Sequence, residues 1–289
     1  MVPVSRVILV ISVIVFLGSG GYLVYKYFGE PYLEQMELSS YKKDYKSEEP
    51  AQAENGVWND KEEEKKEKEE EERLDDGTLA SFKVIRDLNK DVVGWITAPN
   101  TMVDYPVVQA KDNSFYLNHN INKDYNGSGC PFLDYRNSIK PESKSRSLII
   151  YGHHRRNGTM FATLKNYNKL DFYKENPVFR FDTIYERGDW IIFSNFRATT
   201  SWATGTPFNY IRTEFKDDED FMKFVTDIQK RSLISTPVDV RADDQILLLS
   251  TCSYEKSNWR MIIAARRIRE GESSIDVSTA SKASNPIMP

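Results

Sequence analysis

The sequence contains few of the residues that build metal and disulfide frameworks. Its 289 residues include only two cysteines, Cys130 and Cys252, and three histidines, His119, His153 and His154. No CxxC motif or clustered Cys/His spacing is present, which argues against a structural zinc site. The formal net charge of −4 also lacks the basic excess that is typical of nucleic-acid binding. Composition therefore points away from zinc modules and nucleic-acid partners.

One long apolar run lies at the N-terminus. Residues 7–25 carry no charge and are numerous enough to cross a bilayer as a helix. We predict a transmembrane anchor over residues 1–26, with the N-terminus cytoplasmic and the rest of the chain exported. A cleaved signal peptide is the alternative, because residues 18–21 are small. However, the apolar run continues beyond them, which favours an uncleaved anchor.

A charged segment follows the apolar run. Residues 27–77 have little hydrophobic content, and residues 60–73 are unbroken charge. Acidic and basic residues recur there at the i,i+4 spacing that supports a single helix. No apolar stripe is present for a partner helix, so a coiled coil is not supported. The pattern predicts a solvated spacer, partly disordered and partly helical.

The folded part is predicted to span residues 78–270 and to begin with a helix. Leu79, Phe82, Ile85 and Leu88 recur at helical spacing. Thr78 precedes them and is a candidate for the N-cap residue. These residues predict an amphipathic helix at the start of the domain.

Short β-rich runs dominate the remainder of that domain. They lie at residues 92–96, 103–108, 130–134, 147–151, 178–181, 189–194, 246–251 and 261–268. Helical patterns interrupt them at residues 160–165 and 218–231, and residues 271–289 are predicted to be a frayed, disordered tail. Many short strands with few helices indicate a mainly β fold, a closed or nearly closed barrel.

One cysteine is placed where a nucleophile could stand. Cys252 ends a predicted strand, and Arg260 opens the next one after a short polar loop. Positive charge beside a thiol favours the thiolate, so the two residues are a candidate nucleophile site. His153 directly follows another strand and could serve as the base, with His119 and His154 as alternatives. A structural thiol beside a surface arginine is the competing interpretation.

Several motifs in a fixed order carry a family resemblance. They are Leu249-Ser-Thr-Cys-Ser-Tyr254 with Arg260, Tyr151-Gly-His153, Asp91-Val-Val-Gly-Trp-Ile96, Asp104-Tyr-Pro-Val-Val-Gln109, Lys111-Asp-Asn-Ser-Phe-Tyr-Leu117 and Phe132-Leu-Asp-Tyr-Arg136. Together they resemble the sortases, the cysteine transpeptidases of Gram-positive bacterial surfaces, and class B in particular. The resemblance covers about residues 79–269.

The resemblance implies a fold and a reaction. The fold would be an eight-stranded closed sortase-type β-barrel with an N-terminal helix and a few peripheral helices, preceded by a transmembrane helix. Cys252 would attack the carbonyl after a Thr in a C-terminal sorting signal and form a thioacyl-enzyme. His153 would protonate the leaving amine and deprotonate the incoming one. Arg260 would hold the substrate carbonyl or stabilise the oxyanion.

The resemblance also implies partners and a location. The donor would be a surface protein that carries a sorting signal. The acceptor would be an amine of peptidoglycan, from lipid II or a cross-bridge. The enzyme would be a single-pass membrane protein with its catalytic domain on the extracellular face. Neither a cofactor nor a metal is expected, because residues 201–215 contain no acidic cluster that suggests a calcium site.

Further positions match substrate contacts within the family's motifs. They are Asn113, Leu117, Thr206, Tyr210, Ile211 and Ser250. Ordinary loop packing is the alternative for each of them. The redox state of the thiols also stays open, since a disulfide between Cys130 and Cys252 would abolish nucleophilic chemistry.

Other functions remain compatible with the sequence. A pilin-polymerising sortase would use the same chemistry with a pilin Lys amine as the acceptor. A hydrolytic thiol protease would release a free acid even when an amine is abundant. A membrane-tethered adhesin or scaffold would leave the thiol inert.

Overall fold

The computed structural model describes residues 3–45, 72–199, 201–203, 205–252, 258–272 and 281–282. The chain divides into two compact units, residues 1–48 and 49–289. Most of the predicted spacer, the loop after Cys252 and most of the predicted tail lie outside the described residues.

The N-terminal unit is helical. Helix α1 spans Val4–Val24, a π-helical turn spans Tyr25–Gly29, and helix α2 spans Glu30–Tyr45. No residue of α1 is buried. Val4–Gly29 is the one helix among the described residues that is long and apolar enough to cross a membrane. By length and composition it fits either a membrane anchor or a signal sequence.

The second unit is built on β-strands. The strands are β1 Val92–Thr97, β2 Asp104–Val108, β3 Phe132–Leu133, β4 Ser147–Tyr151, β5 Val178–Thr183, β6 Asp189–Thr199, β7 Ile234–Ser235, β8 Ile246–Cys252, β9 Trp259–Arg267 and β10 Ser281–Lys282. Eight of them close into a barrel in the order β1-β2-β3-β4-β8-β9-β6-β5. The predicted closed barrel is therefore confirmed. A separate two-stranded sheet pairs β10 with β7, so this part of the predicted tail forms a short strand.

The barrel is mixed, because it contains two parallel strand pairs among antiparallel ones. Strands β2 and β3 are parallel, as are β4 and β8, whereas the other neighbours are antiparallel. Within β8, Ile246 to Leu249 are all fully buried. Such continuous apolar runs are typical of strands that are covered on both faces.

Helices lie around the barrel. Helix α3 spans Lys83–Leu88, α4 spans Leu170–Glu175 and α5 spans Asp218–Lys230. The Asp217 side chain caps α5 by accepting a hydrogen bond from the Asp220 backbone N–H. Shorter 3₁₀ helices span Ala80–Phe82, Phe115–Leu117, Pro141–Ser143 and Phe161–Asn168. The helical pattern predicted at residues 160–165 is therefore 3₁₀.

The predicted N-cap at Thr78 is wrong. Leu79 occupies the N-cap position of the Ala80–Phe82 turn, without a side-chain cap. The Thr78 hydroxyl instead donates to the Asp76 carboxylate at 2.5 Å, and its backbone N–H donates to the same oxygen at 3.0 Å. Leu88, assigned to the apolar face, is 45% exposed. The Thr78 hydroxyl is thus engaged by Asp76 in a local turn instead of capping the helix.

A buried arginine and its acidic partners lie at one end of the barrel. Arg266 on β9 is fully buried, and its guanidinium donates to Glu272 at 2.5 and 2.8 Å and to the Asp239 carbonyl at 2.6 Å. Arg269 forms a fork with Asp244 at 2.6 and 2.7 Å. This network lies at the end of the barrel opposite Cys252, because Arg266 pairs with the first residue of β8.

Candidate active site

Strand register brings the candidate catalytic residues to one end of the barrel. In the parallel β4–β8 pair, Tyr151 lies opposite Ser250. The Gly152 N–H extends this ladder by donating to the Ser250 carbonyl at 3.1 Å. In the antiparallel β8–β9 pair, the Cys252 backbone lies opposite Arg260. His153 therefore stands just beyond the end of the strand that neighbours β8.

Gly152 allows the chain to pass close to an aromatic ring. A Cβ atom at this position would lie 2.6 Å from Cγ of the fully buried Phe161. The backbone N–H of Phe161 donates to the His153 carbonyl at 2.9 Å. The lack of a side chain at Gly152 thus lets the chain fold tightly over the Phe161 ring, and this contact sets the course of the backbone at His153.

A backbone carbonyl fixes the His153 imidazole. Nε2 of the half-buried His153 lies 2.7 Å from the carbonyl oxygen of Leu117. A carbonyl only accepts hydrogen bonds, so Nε2 carries the proton. In the neutral ring, Nδ1 then carries the lone pair and can take part in proton transfer.

Gly129 packs closely against the backbone carbonyl groups of Tyr116 and Leu117. Its φ of 63° lies in the left-handed region. A Cβ atom there would lie 2.5 Å from the Tyr116 carbonyl oxygen and 2.8 Å from that of Leu117. Glycine is required on both counts, since a side chain would be strained and would push the two carbonyls aside.

The other histidines make local contacts. The His119 ring stacks on Phe115 with centroids 4.1 Å apart, and its Nδ1 lies 2.7 Å from the Phe115 carbonyl. His154 forms an isolated β-bridge with Met160. The β4–β8 pairing places the end of β4, and with it His153 and the adjacent His154, at the same barrel end as Cys252.

The Arg260 guanidinium has N–H donors beyond the one that bonds to its own strand. Its side chain is half-buried, and Nη1 donates to the Trp259 carbonyl at 3.2 Å. A guanidinium has five N–H donors, so this bond leaves others that could bind a carbonyl or an oxyanion. The β8–β9 register places the Cα atom of Arg260 opposite that of Cys252.

Two of the predicted substrate positions meet directly. The Tyr210 hydroxyl and Ser250 Oγ lie 2.9 Å apart, and both residues are buried. This bond attaches the segment after β6 to the end of β8. On the same segment Ile211 is 37% exposed and Thr206 is exposed, so both present surface to solvent.

The remaining predicted positions precede β3. Leu117 is 42% exposed, although its carbonyl holds His153. The Asn113 side chain is bonded at both ends, donating to Asp134 at 3.0 Å and accepting from the Tyr135 N–H at 3.0 Å. Its second amide N–H is a further donor. These bonds give Asn113 a structural role, and its role as a substrate contact stays a prediction.

Comparison with known proteins decides the family. Residues 96–268 match the family model for the sortase domain. The chain belongs to the sortase family. It is 35% identical over 190 residues to sortase B of Staphylococcus aureus, covering 65% of this chain and 75% of the relative. It is 37% identical over 186 residues to sortase B of Listeria monocytogenes, covering 64% and 72%.

A solved structure agrees with this assignment. The Staphylococcus aureus sortase B–substrate complex matches with a TM-score of 0.68 and 28% identity, covering 84% of this chain and 99% of that one. The closed barrel is thus a sortase barrel, and this sortase is a cysteine transpeptidase of class B type.

The second cysteine of this sortase is inert. Cys130 is a free, buried thiol whose Sγ lies 3.7 Å from the Pro106 carbonyl. Burial raises the pKa of the Cys130 thiol far above its usual range, so it stays protonated. Cys130 forms no disulfide. Within the described ranges no group of three or more His, Cys, Asp or Glu side chains could hold a metal ion.

Proposed function

We propose that this sortase cleaves a C-terminal sorting signal after Thr and joins the surface protein to an amine of peptidoglycan. The observation that carries the proposal is the strand register: Cys252 opposite Arg260, with His153 just beyond the parallel neighbour of β8. The other residues supply orientation and the substrate surface.

In the first half-reaction, the Cys252 thiolate attacks the carbonyl carbon of the Thr residue. A C–S bond forms, and the carbonyl oxygen takes on negative charge, which the Arg260 guanidinium stabilises by charge-assisted hydrogen bonds. The C–N bond then breaks while the His153 imidazolium gives its proton to the leaving amine. The product is a thioacyl-enzyme, with the C-terminal part of the sorting signal released.

In the second half-reaction, the acceptor amine attacks the thioester carbon. Neutral His153 takes a proton from this amine, a new amide forms, and Cys252 leaves as the thiolate. The Leu117 carbonyl supports both steps, because it holds Nε2 and leaves Nδ1 as the nitrogen that exchanges protons.

The sorting signal lies, in this proposal, over the exposed apolar side chains of Leu117 and Ile211. These side chains are 42% and 37% exposed at positions that match the family's substrate contacts. The Tyr210–Ser250 hydrogen bond connects the segment that carries Ile211 to the nucleophile strand. Asn113 and Thr206 complete the proposed contact set. The relative solved with a substrate supports peptide binding by this barrel.

Helix α1 supports a place at the membrane. We assign it as an uncleaved anchor, with the catalytic domain on the extracellular face, where peptidoglycan amines and surface proteins meet. Its apolar length fits this role. A pilin Lys amine is the alternative acceptor for the same chemistry.

A peptide-library screen tests the proposal. Thr-containing peptides are incubated with the full chain and an amine acceptor, and products are weighed by mass spectrometry. We expect an amide product from the wild type and loss of product in Cys252→Ala, His153→Ala and Arg260→Ala. Cys130→Ala is the matched thiol control and should keep activity, because that thiol is buried and protonated.

Each alternative has its own signature in this assay. Full activity in Cys252→Ala would refute the mechanism. Free acid as the sole product, with an amine in excess, would identify a hydrolase. Competition between a peptidoglycan-type amine and a pilin-derived Lys peptide separates wall anchoring from pilus assembly.

A further inference from the structure

We propose that Asp134 and Arg136 are positioning residues that hold the two sides of the sorting-signal groove at a fixed separation. The inference rests on the proposed function, because the groove is defined by the substrate contacts assigned there. It adds two residues to which the sequence motifs gave no role.

Asp134 is a fully buried carboxylate with an unusually complete set of donors. Oδ1 accepts from the Arg136 backbone N–H at 3.0 Å and from its Nε at 2.8 Å. Oδ2 accepts from Arg136 Nη2 at 2.7 Å, from Asn113 at 3.0 Å and from the Tyr151 hydroxyl at 2.9 Å. One side chain thus joins three segments of the chain.

Arg136 carries the connection to the opposite side. Its Nη2 also donates to the backbone carbonyl of Ile211 at 3.0 Å. Asn113 lies in the segment between β2 and β3, and Ile211 lies in the segment between β6 and α5. The path from Asn113 through Asp134 and Arg136 to Ile211 is therefore a continuous chain of hydrogen bonds.

The charge on Asp134 keeps this path intact. Burial alone would raise the pKa of Asp134, but the hydrogen bonds from Arg136, Tyr151 and Asn113 outweigh it and hold the pKa below its ordinary value. The carboxylate is thus ionised at neutral pH and accepts from every donor around it. An amide at this position would present N–H groups to at least one of these donors.

Strand pairing places the backbone of the catalytic residues, and the Tyr151 hydroxyl connects the end of β4 to Asp134. The end of β4, which leads to His153, is paired to β8 through its backbone. Cys252 and Arg260 are placed by the β8–β9 register. Loss of the Asp134–Arg136 connection should therefore disturb peptide binding much more than the chemical steps.

The test compares two variants with a matched control. Asp134→Asn removes the charge, and Arg136→Lys keeps a charge but removes the planar fork. The control is Asp189→Asn, which breaks a similar fork with Arg180, at 2.8 and 2.9 Å. That pair lies at the start of β6, at the barrel end away from Cys252.

Three quantities are measured on the full chain. They are kcat and KM for the best-cleaved peptide of the Thr-containing library, the Kd of that peptide labelled with a fluorophore in a Cys252→Ala background, and the midpoint of thermal unfolding. We expect KM and Kd to rise about tenfold in both variants, with kcat within about twofold of wild type. The control should lose thermal stability without a change in KM or Kd.

The outcomes separate this inference from the proposed function. Unchanged KM and Kd in the variants, with a wild type that processes the peptide, would overturn the positioning role alone. An equal rise of KM in the control would also overturn it, by showing a general loss of structure. If Asp134→Asn does not fold, the Arg136→Lys variant tests the positioning role, because Arg136 is partly exposed. A wild type that cleaves no peptide, or a Cys252→Ala enzyme with full activity, refutes the proposed function instead.

Discussion

The carbonyl oxygen of Leu117 lies 2.7 Å from Nε2 of His153. Leu117 ends the short 3₁₀ helix Phe115–Leu117 and leaves 42% of its surface exposed. One residue therefore orients the proposed base through its backbone and offers an apolar side chain to the proposed groove. In the proposed complex, peptide binding and the direction of the imidazole would be coupled at this point.

Gly129→Ala should reduce catalysis through this contact. The added Cβ would collide with the Tyr116 and Leu117 carbonyls, and a displacement near 1 Å can cost about 100-fold in rate. We expect kcat/KM to fall by about that factor while the circular dichroism spectrum is retained. Gly77→Ala is the control, because Gly77 also has positive φ but a Cβ atom there would meet nothing within 4 Å. Equal activity losses in the two variants would contradict the role of the carbonyl.

Arg260→Lys should separate charge from geometry. Lysine keeps the positive charge but loses the planar fork that binds a carbonyl oxygen with two donors. We expect kcat to fall about 100- to 1000-fold, the cost of losing an oxyanion donor, with little change in unfolding temperature. Arg180→Lys, on β5, serves as the matched control. A kcat within a factor of a few of wild type would remove Arg260 from the reaction.

The Tyr210–Ser250 contact should show coupled energetics. Tyr210→Phe leaves the buried Ser250 hydroxyl without this bond, which should lower the free energy of unfolding by about 1–3 kcal/mol. Tyr210→Phe combined with Ser250→Ala should be less destabilising than the sum of the single changes. Urea unfolding of the three variants and wild type measures the coupling. Strict additivity would mean that the hydroxyls do not stabilise each other.

Acid should weaken the network around Arg266. The hydrogen bond from buried Arg266 lowers the pKa of Glu272 below its ordinary value. The folded-state pKa is then below the unfolded value of about 4.3, so Glu272 contributes its full stability above about pH 5. That contribution disappears as pH falls from the unfolded pKa through the folded one. We expect Glu272→Gln to cost about 1–3 kcal/mol near pH 7 and progressively less toward pH 3, by urea unfolding.

The control for this experiment is the exposed Glu142→Gln. It should leave the free energy of unfolding close to that of wild type at each pH. A difference between wild type and Glu272→Gln that grows on acidification would contradict the direction of the shift.

Helix α1 should retain the enzyme in membranes. The full chain should stay in the membrane fraction after a carbonate wash, whereas a chain that starts after Gly29 should be released. Intact mass of the membrane-bound protein distinguishes the two assignments of α1. A mature protein that lacks the apolar run would establish a cleaved signal sequence.

The barrel was accessible from the sequence because its strands are apolar runs with clear ends. Ser147–Tyr151 agrees with the prediction at both ends. Helix α4 and strand β7 escaped notice, since elements of six and two residues carry too little periodicity. The Thr78 cap failed because a local bond to Asp76 replaced it, a choice that pattern alone does not reveal.

The sequence predicted only those site residues that lie at the ends of strands. Cys252 and Arg260 flank one loop, so the sequence already predicted their approach. The Leu117 carbonyl and the Asp134–Arg136 pair gave no comparable signal. Their partners come from distant segments, and backbone carbonyls have no sequence signature.

The parallel pairing of β4 with β8 also determines when the enzyme becomes reactive. These neighbours are separated in the chain by α4, β5, β6, α5 and β7. A chain synthesised from its N-terminus completes the His153 strand long before the partner that carries Cys252. Contacts between segments so far apart form slowly, because the intervening loop must first be closed. In the proposed mechanism, assembly of the nucleophile with its base would thus wait until nearly the whole barrel is present, so that partly made chains would not be acylated.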